Sequence, residues 1–133
     1  MGKSNKEIKM MSLKKSFLYA FRGLKYVMKN ERNFRIELIL AFLILVFSMI
    51  LKIERWELVI VVFLITLVLV TELINTVVER VVDILEPRIH PFAKLIKDIM
   101  AAIVLISAIT SVAIGSIVFL PYMYNLLTDY LYV

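Results

Sequence analysis

The chain has 133 residues, which is enough for one domain, and 62% of them are hydrophobic. Its mean hydropathy of +0.90 leaves too little polar surface for a soluble domain, so we interpret it as an integral membrane protein. The absence of cysteine excludes disulfides and thiolate metal sites. The net charge of +5 is unevenly placed, because ten Lys and Arg residues lie within residues 1–35. Beside apolar spans, such a segment indicates anionic lipid at the cytoplasmic face and not a nucleic acid partner.

The first predicted element is a helix over residues 12–30. Its apolar side chains recur at the i, i+3, i+4, i+7 spacing of a helix face, with Leu13, Phe17, Phe21 and Leu24 as examples. Most of its lysines fall on other faces. A basic amphipathic helix of this type lies in the plane of a membrane surface, so we predict a surface helix on the cytoplasmic side.

Three apolar segments follow, each long enough to cross a bilayer at about 1.5 Å per residue. The predicted spans are 35–53, 56–78 and 97–120. A polar turn over 52–57 separates the first two, and a proline-containing loop over 84–96 separates the last two. The third helix is expected to open near Pro91, and its span to end near Pro121. We therefore predict an all-α membrane protein with one domain, 1–133, and three transmembrane helices.

The distribution of basic residues predicts the orientation in the membrane. The N-terminal segment carries ten Lys and Arg, the 52–57 turn two, the 79–98 segment four and the stretch after Pro121 none. The positive-inside rule then places the N-terminus and the 79–98 segment in the cytoplasm and the C-terminus outside. The expected location is the cell inner (cytoplasmic) membrane, which the chain crosses several times.

Small residues recur every fourth position in the third span, at Ser107, Ser111 and Gly115. Such a ridge lets two helices approach each other closely inside a membrane. The ridge fits either packing within one chain or packing between protomers of an oligomer.

A row of polar side chains interrupts the second span near its end. Glu72, Asn75, Glu79 and Asp83 fall within roughly 80° of one another at about 100° per helical residue, and we call these four residues the polar file. A charge at mid-bilayer costs roughly 2.5–3.5 kcal/mol on insertion scales, so a bound cation or a reacting substrate is expected to offset that cost.

The predicted topology brings the polar file to the cytoplasmic interface together with Glu31, Lys97 and Asp98. Carboxylates and an amide are hard oxygen ligands that suit Mg²⁺, and lysine at a helix N-terminus suits phosphate. A deeper carboxylate, Glu72, could remove a proton from a lipid hydroxyl. These are the parts needed for phosphoryl transfer. The role of Glu37 stays open between pairing with a neighbouring base and catalysis.

Known soluble nucleotide-binding motifs are missing. The sequence has no G-x-x-x-x-G-K-[ST], no G-x-G-x-x-G and no H-R-D or D-F-G, which excludes a soluble nucleotide-binding fold. A non-enzymatic transporter or scaffold remains an alternative, because a carboxylate in a span can also be a proton or cation site.

Two stretches carry a resemblance to a known family. E-L-I-N-T-V-V-E-R-V-V-D (72–83) and H-P-F-A-K-L-I-K-D-I-M-A-A (90–102) closely resemble the small bacterial membrane kinases of diacylglycerol and undecaprenol. S-F-L-Y-A-F-R-G-L (16–24) and E-R-N-F-R (31–35) are similar to the same family, and the resemblance covers about 13–120. It implies a homotrimer of three-span protomers that transfers the γ-phosphate of Mg-ATP to a lipid alcohol, at sites shared between protomers.

The resemblance also implies roles for individual residues. Glu72 resembles the general base, and Glu31 and Glu79 resemble the Mg²⁺ ligands. Asn75 and Asp83 match catalytic positions. The remaining matches are to the family's nucleotide-binding positions, which are Tyr19, Glu31, Glu79, Glu86, Arg88, Lys97 and Asp98.

The loop motif H-P-x-A-K-x-x-K-D and the E-R-N-F motif look more like the undecaprenol kinase branch than the diacylglycerol branch. The resemblance thus implies phosphorylation of undecaprenol, with diacylglycerol as the alternative substrate. The diacylglycerol branch has an Arg near the position of Ser12, which this chain lacks, so Ser12 receives no role.

Overall fold

The computed structural model describes the backbone of residues 5–86 and 91–131 and the side chains of 13–86 and 91–129. Regular structure in these residues is entirely α-helical, which confirms the predicted fold class. In chain order the helices are α1 (Asn5–Asn30), α2 (Arg32–Leu51), α3 (Arg55–Leu85) and α4 (Pro91–Leu131). The chain divides into two compact units, Met1–Arg32 and Asn33–Val133, which are described separately.

The first unit consists of α1, which begins at Asn5 and so starts before the predicted residue 12. The helix ends where the backbone N–H of Glu31 donates to the Val27 carbonyl at 2.8 Å. Tyr19 is exposed, and the guanidinium carbon of Arg22 lies 6.0 Å from the centre of its ring, at the distance of a cation–π contact.

In α2, the buried side chains occur every seventh residue. Phe34, Ala41 and Ser48 are all less than 9% exposed, and most of the other apolar side chains of the helix are exposed. A seven-residue spacing returns to nearly the same helix face, so α2 presents one narrow stripe to the rest of its unit. The remaining apolar surface is available to lipid or to another chain.

The turn after α2 has a left-handed residue, Lys52, with φ of 51°. The Lys52 N–H donates to the Met49 carbonyl and the Ile53 N–H donates to the Ser48 carbonyl, both at 3.3 Å. This is the Schellman pattern, in which the left-handed position usually holds glycine. The sequence predicted a turn here but gave no sign of this geometry, because lysine rarely occupies it.

A polar network surrounds the start of α3. Glu57 accepts a hydrogen bond from the Glu54 backbone N–H at 2.9 Å, as in a capping box. The Trp56 indole N–H donates to the Glu54 carboxylate, and the Tyr122 hydroxyl donates to Glu57. The network therefore ties the beginning of α3 to the far part of α4.

The helices α3 and α4 form the main packed pair of the second unit. The hydroxyls of Thr71 and Ser107 lie 2.9 Å apart, and the Ser111 hydroxyl donates to the Leu64 carbonyl at 3.5 Å. Two of the three predicted ridge residues thus serve contact within one chain. At Gly115 an added Cβ meets no heavy atom within 4 Å, so this glycine is not needed for close helix approach in the described residues.

The helix ends differ from the predicted loop and span ends. α3 continues to Leu85 and α4 starts at Pro91, so the connection is shorter than the predicted 84–96 loop. Pro91 suits the first position of a helix, because a backbone N–H there would have no partner within the helix and proline has none. α4 also continues through Pro121, where the third span was expected to end. Residues 87–90, which include the predicted site residue Arg88, lie outside the described residues.

Three of the helices, α2, α3 and α4, are long and apolar enough to cross a membrane. At 1.5 Å per residue they measure about 30, 46 and 61 Å, against about 30 Å for a hydrocarbon core. Most of their large apolar side chains are exposed, which suits a lipid environment. The chain is therefore an integral membrane protein.

Candidate active site

The burial of the polar file decreases steadily along α3. Glu72 is 4% exposed and Asn75 is 8% exposed, whereas Glu79 is half-buried and Asp83 is exposed. Counted from Arg55, Glu72 lies about 26 Å along α3, a length comparable with the thickness of about 30 Å of a hydrocarbon core. The file therefore runs from a desolvated carboxyl group to groups in contact with water.

Asn75 and Glu79, in the middle of the polar file, can both supply an oxygen ligand to a metal ion. The Asn75 side-chain N–H donates to Glu79 Oε1 at 3.3 Å, while Asn75 Oδ1 is buried and accepts no hydrogen bond from the described residues. A buried carbonyl oxygen without a donor costs about 1–3 kcal/mol, which a cation could offset. An amide oxygen beside a carboxylate is a donor set that suits Mg²⁺.

The described residues hold no group of three or more acidic or histidine side chains that could hold a metal ion. Mg²⁺ commonly takes only one or two carboxylates and completes its octahedron with water and substrate phosphates. Asn75 and Glu79 fit that mode of binding. Glu31 belongs to the first unit, so its predicted pairing with Glu79 stays a prediction.

At the exposed end of the file, Asp83 forms an ion pair with Lys97 of α4. Both side chains are substantially exposed, at 56% for Asp83 and 37% for Lys97, so the pair contributes little to stability. Asp98 is exposed in the same helical turn of α4. The ion pair brings the predicted phosphate-binding lysine to the end of the polar file.

Glu37 of α2 is the residue whose role the sequence left open. Its carboxylate interacts electrostatically with that of Glu72, and its Oε2 atom is buried with no hydrogen-bond donor among the described residues. Two interacting carboxyl groups can share a proton, a cation or a substrate hydroxyl. The signal in the sequence was an acidic residue inside the predicted first span, 35–53.

An apolar groove of about 610 Å³ extends from Glu37 between α2, α3 and α4, and we call it the three-helix groove. Leu40, Val68 and Phe119 are among its lining residues. Its volume lies in the range of small-molecule sites, and its lining suits a hydrocarbon chain. A hydrophobic groove with the carboxyl group of Glu37 in its lining can hold an alcohol with a long apolar tail.

Three other residues were predicted to bind nucleotide. Tyr19 is on α1 in the first unit, and Glu86 caps the C-terminal end of α3, where its N–H donates to the Val82 carbonyl at 2.9 Å. Arg88 lies outside the described residues. The structure thus brings together the file, Lys97 and Glu37, and leaves the roles of Tyr19, Glu86 and Arg88 as predictions.

Comparison with known proteins connects this geometry to a family. The profile of the prokaryotic diacylglycerol kinase family matches residues 18–119, which is more than half of the chain. The chain belongs to this family. All the predicted site residues, from Tyr19 to Asp98, lie within the matched region, and the match confirms the resemblance read from the sequence.

Some relatives that are similar to the chain are named undecaprenol kinase, and others are named diacylglycerol kinase. The undecaprenol kinase of Bacillus subtilis (strain 168) is 36% identical over 107 residues, which cover 80% of this chain and 87% of that protein. The diacylglycerol kinase of a Synechocystis strain is 34% identical over 113 residues, covering 84% and 65%. The diacylglycerol kinase of Escherichia coli K12 is 31% identical over 94 residues, covering 71% and 77%. This family member is therefore a lipid kinase, which decides against the transporter and scaffold alternative.

Proposed function

We propose that this kinase transfers the γ-phosphate of Mg-ATP to the hydroxyl group of a membrane lipid alcohol, with undecaprenol as its main substrate. The observation that carries the proposal is the three-helix groove with Glu37 in its lining, whose carboxylate interacts electrostatically with that of the buried Glu72. An alcohol whose tail occupies the groove would have its hydroxyl next to a desolvated base.

In the proposed reaction, the Glu72 carboxylate removes the proton of the lipid hydroxyl as the alcohol oxygen attacks the γ-phosphorus. The bond from that phosphorus to the oxygen bridging to the β-phosphate breaks, so ADP leaves with the electron pair. General base catalysis of this type contributes typically 10²- to 10⁴-fold. Glu37 closes the end of the groove and keeps the hydroxyl at Glu72.

Mg²⁺, when bound, would neutralise charge on the β- and γ-phosphates. Asn75 and Glu79 would hold the ion, with Glu31 as a further ligand. Asp83 would take part in catalysis beside them. Lys97 and Asp98 would position the phosphates near the start of α4. Tyr19, Glu86 and Arg88 would contact the nucleotide.

Two features support undecaprenol over diacylglycerol. The loop motif and E-R-N-F resemble the undecaprenol branch, and the undecaprenol kinase of B. subtilis is 36% identical to the chain. Diacylglycerol remains the second candidate, because the diacylglycerol kinase of Synechocystis is 34% identical. An apolar groove discriminates poorly between apolar chains, so the substrate must be tested directly.

We also propose a homotrimer in the cytoplasmic membrane, with α1 on the cytoplasmic surface, the 79–98 segment in the cytoplasm and the C-terminus outside. The basic N-terminal segment supports this orientation. The many exposed apolar side chains on α2, α3 and α4 leave ample surface for contacts between protomers. Sites completed between protomers would bring further residues to the polar file.

The experiment is phosphate transfer from γ-labelled ATP in detergent micelles, with undecaprenol and diacylglycerol offered side by side, with Mg²⁺ and after its removal by chelation. We expect labelled undecaprenyl phosphate in excess, only with Mg²⁺, and a loss of at least about 100-fold in Glu72→Gln. The matched control is Glu54→Gln, which changes the same group at the opposite end of α3.

Labelled phosphatidic acid in excess would move the main substrate to diacylglycerol and leave the mechanism intact. No labelled lipid from folded wild-type protein would refute the proposal. Equal losses in Glu72→Gln and Glu54→Gln would refute the assignment of Glu72 as the base.

A further inference from the structure

One hydrogen bond joins α3 to α4 next to the proposed base. The hydroxyl oxygens of Thr71 and Ser107 lie 2.9 Å apart. Ser107 is buried, at 6% exposure, and Thr71 is half-buried. The next residue after Thr71 is Glu72, so this contact holds the backbone of α3 at the point where the proposed base leaves it.

Other polar contacts between the two helices are spaced along their length. At one end Glu57 meets Tyr122, and at the other Asp83 meets Lys97. Thr71 and Ser107 lie between these ends. The end contacts involve long side chains at exposed or half-buried positions, which tolerate small shifts. The side chains of Thr71 and Ser107 are short, so their contact allows much smaller shifts and rotations of α3 relative to α4.

A restraint at this position matters because Glu72 faces a group of the same type. The carboxyl groups of Glu72 and Glu37 interact electrostatically, so a rotation of α3 would change the environment of Glu72. Such a rotation would also change the position of Glu72 relative to the lipid hydroxyl in the proposed reaction. The hydrogen bond to Ser107 opposes the rotation from the adjacent residue.

We propose that Thr71 and Ser107 are positioning residues, whose mutual hydrogen bond holds Glu72 in register with the reacting lipid hydroxyl. The inference rests on the proposed function, because it takes Glu72 as the general base. Neither side chain touches the reacting atoms. Their effect is exerted through the orientation of α3.

The local hydrogen bonding separates this role from a general contribution to stability. The Thr71 hydroxyl also lies 2.8 Å from the Val68 carbonyl, and the Ser107 hydroxyl lies 2.8 Å from the Val104 carbonyl. Each hydroxyl has one proton, so one of the pair donates to the other and the second donates to its own helix. When one hydroxyl is removed, the remaining one can donate to its own helix and is not left unsatisfied. Loss of the interhelical bond should therefore affect catalysis much more than folding.

The test compares Thr71→Val and Ser107→Ala with wild type in the micelle assay. We expect kcat to fall about five- to twentyfold in each, because small displacements of a catalytic group are costly. The KM values for ATP and for the lipid should stay within about twofold, and Tm should fall by less than about 3 °C. Thr71→Ser keeps the hydroxyl and should recover kcat to within about twofold of wild type.

The controls are Thr66→Val and Thr128→Val, which remove exposed hydroxyls that donate only to carbonyls of their own helix. Both should behave like wild type. The double variant Thr71→Val with Ser107→Ala should be no worse than about twofold below the single variants, because both changes break one bond.

An active wild type with Thr71→Val equal to Thr66→Val would overturn the positioning role and leave the proposed function standing. A fall in kcat matched by a large fall in Tm, without recovery in Thr71→Ser, would also overturn it. An inactive wild type would instead refute the proposed function itself.

Discussion

At the scale of single residues, the side chains of the polar file differ in burial along α3. Glu72 and Asn75 are buried, while Asp83 meets water and pairs with Lys97. A desolvated carboxyl group suits proton transfer, and shallower groups suit ions and phosphates that arrive from solution. The sequence predicted this file by spacing alone, because helical periodicity fixes which residues share a face.

The neighbour of Glu72 on α2 could not be predicted in the same way. Glu37 lies 35 positions earlier in the chain, and only the tertiary structure brings its carboxylate close enough to interact electrostatically with that of Glu72. The spacing rules that identify a helix face carry no information about a different helix. Sequence reasoning could therefore mark Glu37 as unusual without giving it a partner.

The position of Glu37 leads to a prediction about the lipid substrate. Glu37→Ala should raise the KM for the lipid alcohol about five- to tenfold, because it opens the end of the groove that keeps the hydroxyl at Glu72. The KM for ATP should stay within about twofold. The measurement is steady-state kinetics with each substrate varied in turn, with Glu54→Ala as the control.

A rise in the KM for ATP with an unchanged KM for the lipid would contradict this assignment. That outcome would place Glu37 with the nucleotide instead.

At the scale of helices, the sequence located the elements and the start of α4, which was expected near Pro91 and begins there. The helix α3 extends to Leu85, past the predicted span end at residue 78, because helical hydrogen bonding does not stop where the apolar sequence stops. That span end stays a prediction. α4 likewise passes through Pro121. One missing N–H costs a helix about 3 kcal/mol or more, and the apolar helix continues in spite of it.

The left-handed residue after α2 gives a prediction at this scale. Lys52→Gly should raise the free energy of unfolding by about 0.5–1 kcal/mol, because glycine adopts a φ of 51° without steric strain. The matched variant Lys52→Ala removes the same charge but keeps a Cβ at the strained position. Reversible unfolding in mixed micelles measures both variants.

Equal stability of the Gly and Ala variants would show that the charge of Lys52, and not its backbone conformation, decides the effect. A gain restricted to Lys52→Gly would confirm the conformational explanation.

At the scale of the whole second unit, the packing of α2, α3 and α4 leaves the three-helix groove open. The ridge in the third span was predicted from small residues, and Ser107 and Ser111 do contact α3. Ser111 and Gly115 both line the groove, but an added Cβ at Gly115 meets no heavy atom within 4 Å. The sequence pattern did not distinguish these positions, because the groove is formed by three helices together.

The open space at Gly115 gives the last prediction. Gly115→Leu should lower kcat/KM for the lipid about tenfold, because the new side chain enters the groove, while the unfolding temperature should hold since nothing lies within 4 Å of the added Cβ. The control Ala113→Leu places the same side chain at an exposed position of α4. Kinetics with a long and a short lipid alcohol measure both variants.

Unchanged kinetics for both substrates in Gly115→Leu would show that the lipid tail does not occupy the groove. Equal losses in the two leucine variants would indicate a general effect on α4.

The burial gradient along α3 also has a bioenergetic consequence. In the proposed reaction, and with Arg55 at the opposite edge of a hydrocarbon core about 30 Å thick, a proton that leaves Glu72 would start about 4 Å from the nearer edge. It would move past Asn75, Glu79 and Asp83 toward the same aqueous side. Carrying one charge across the whole membrane is worth about 2.3 kcal/mol per 100 mV, so this short path feels only about 0.3 kcal/mol. The phosphorylation step would then proceed at nearly the same rate whether the cell membrane is energised or depolarised.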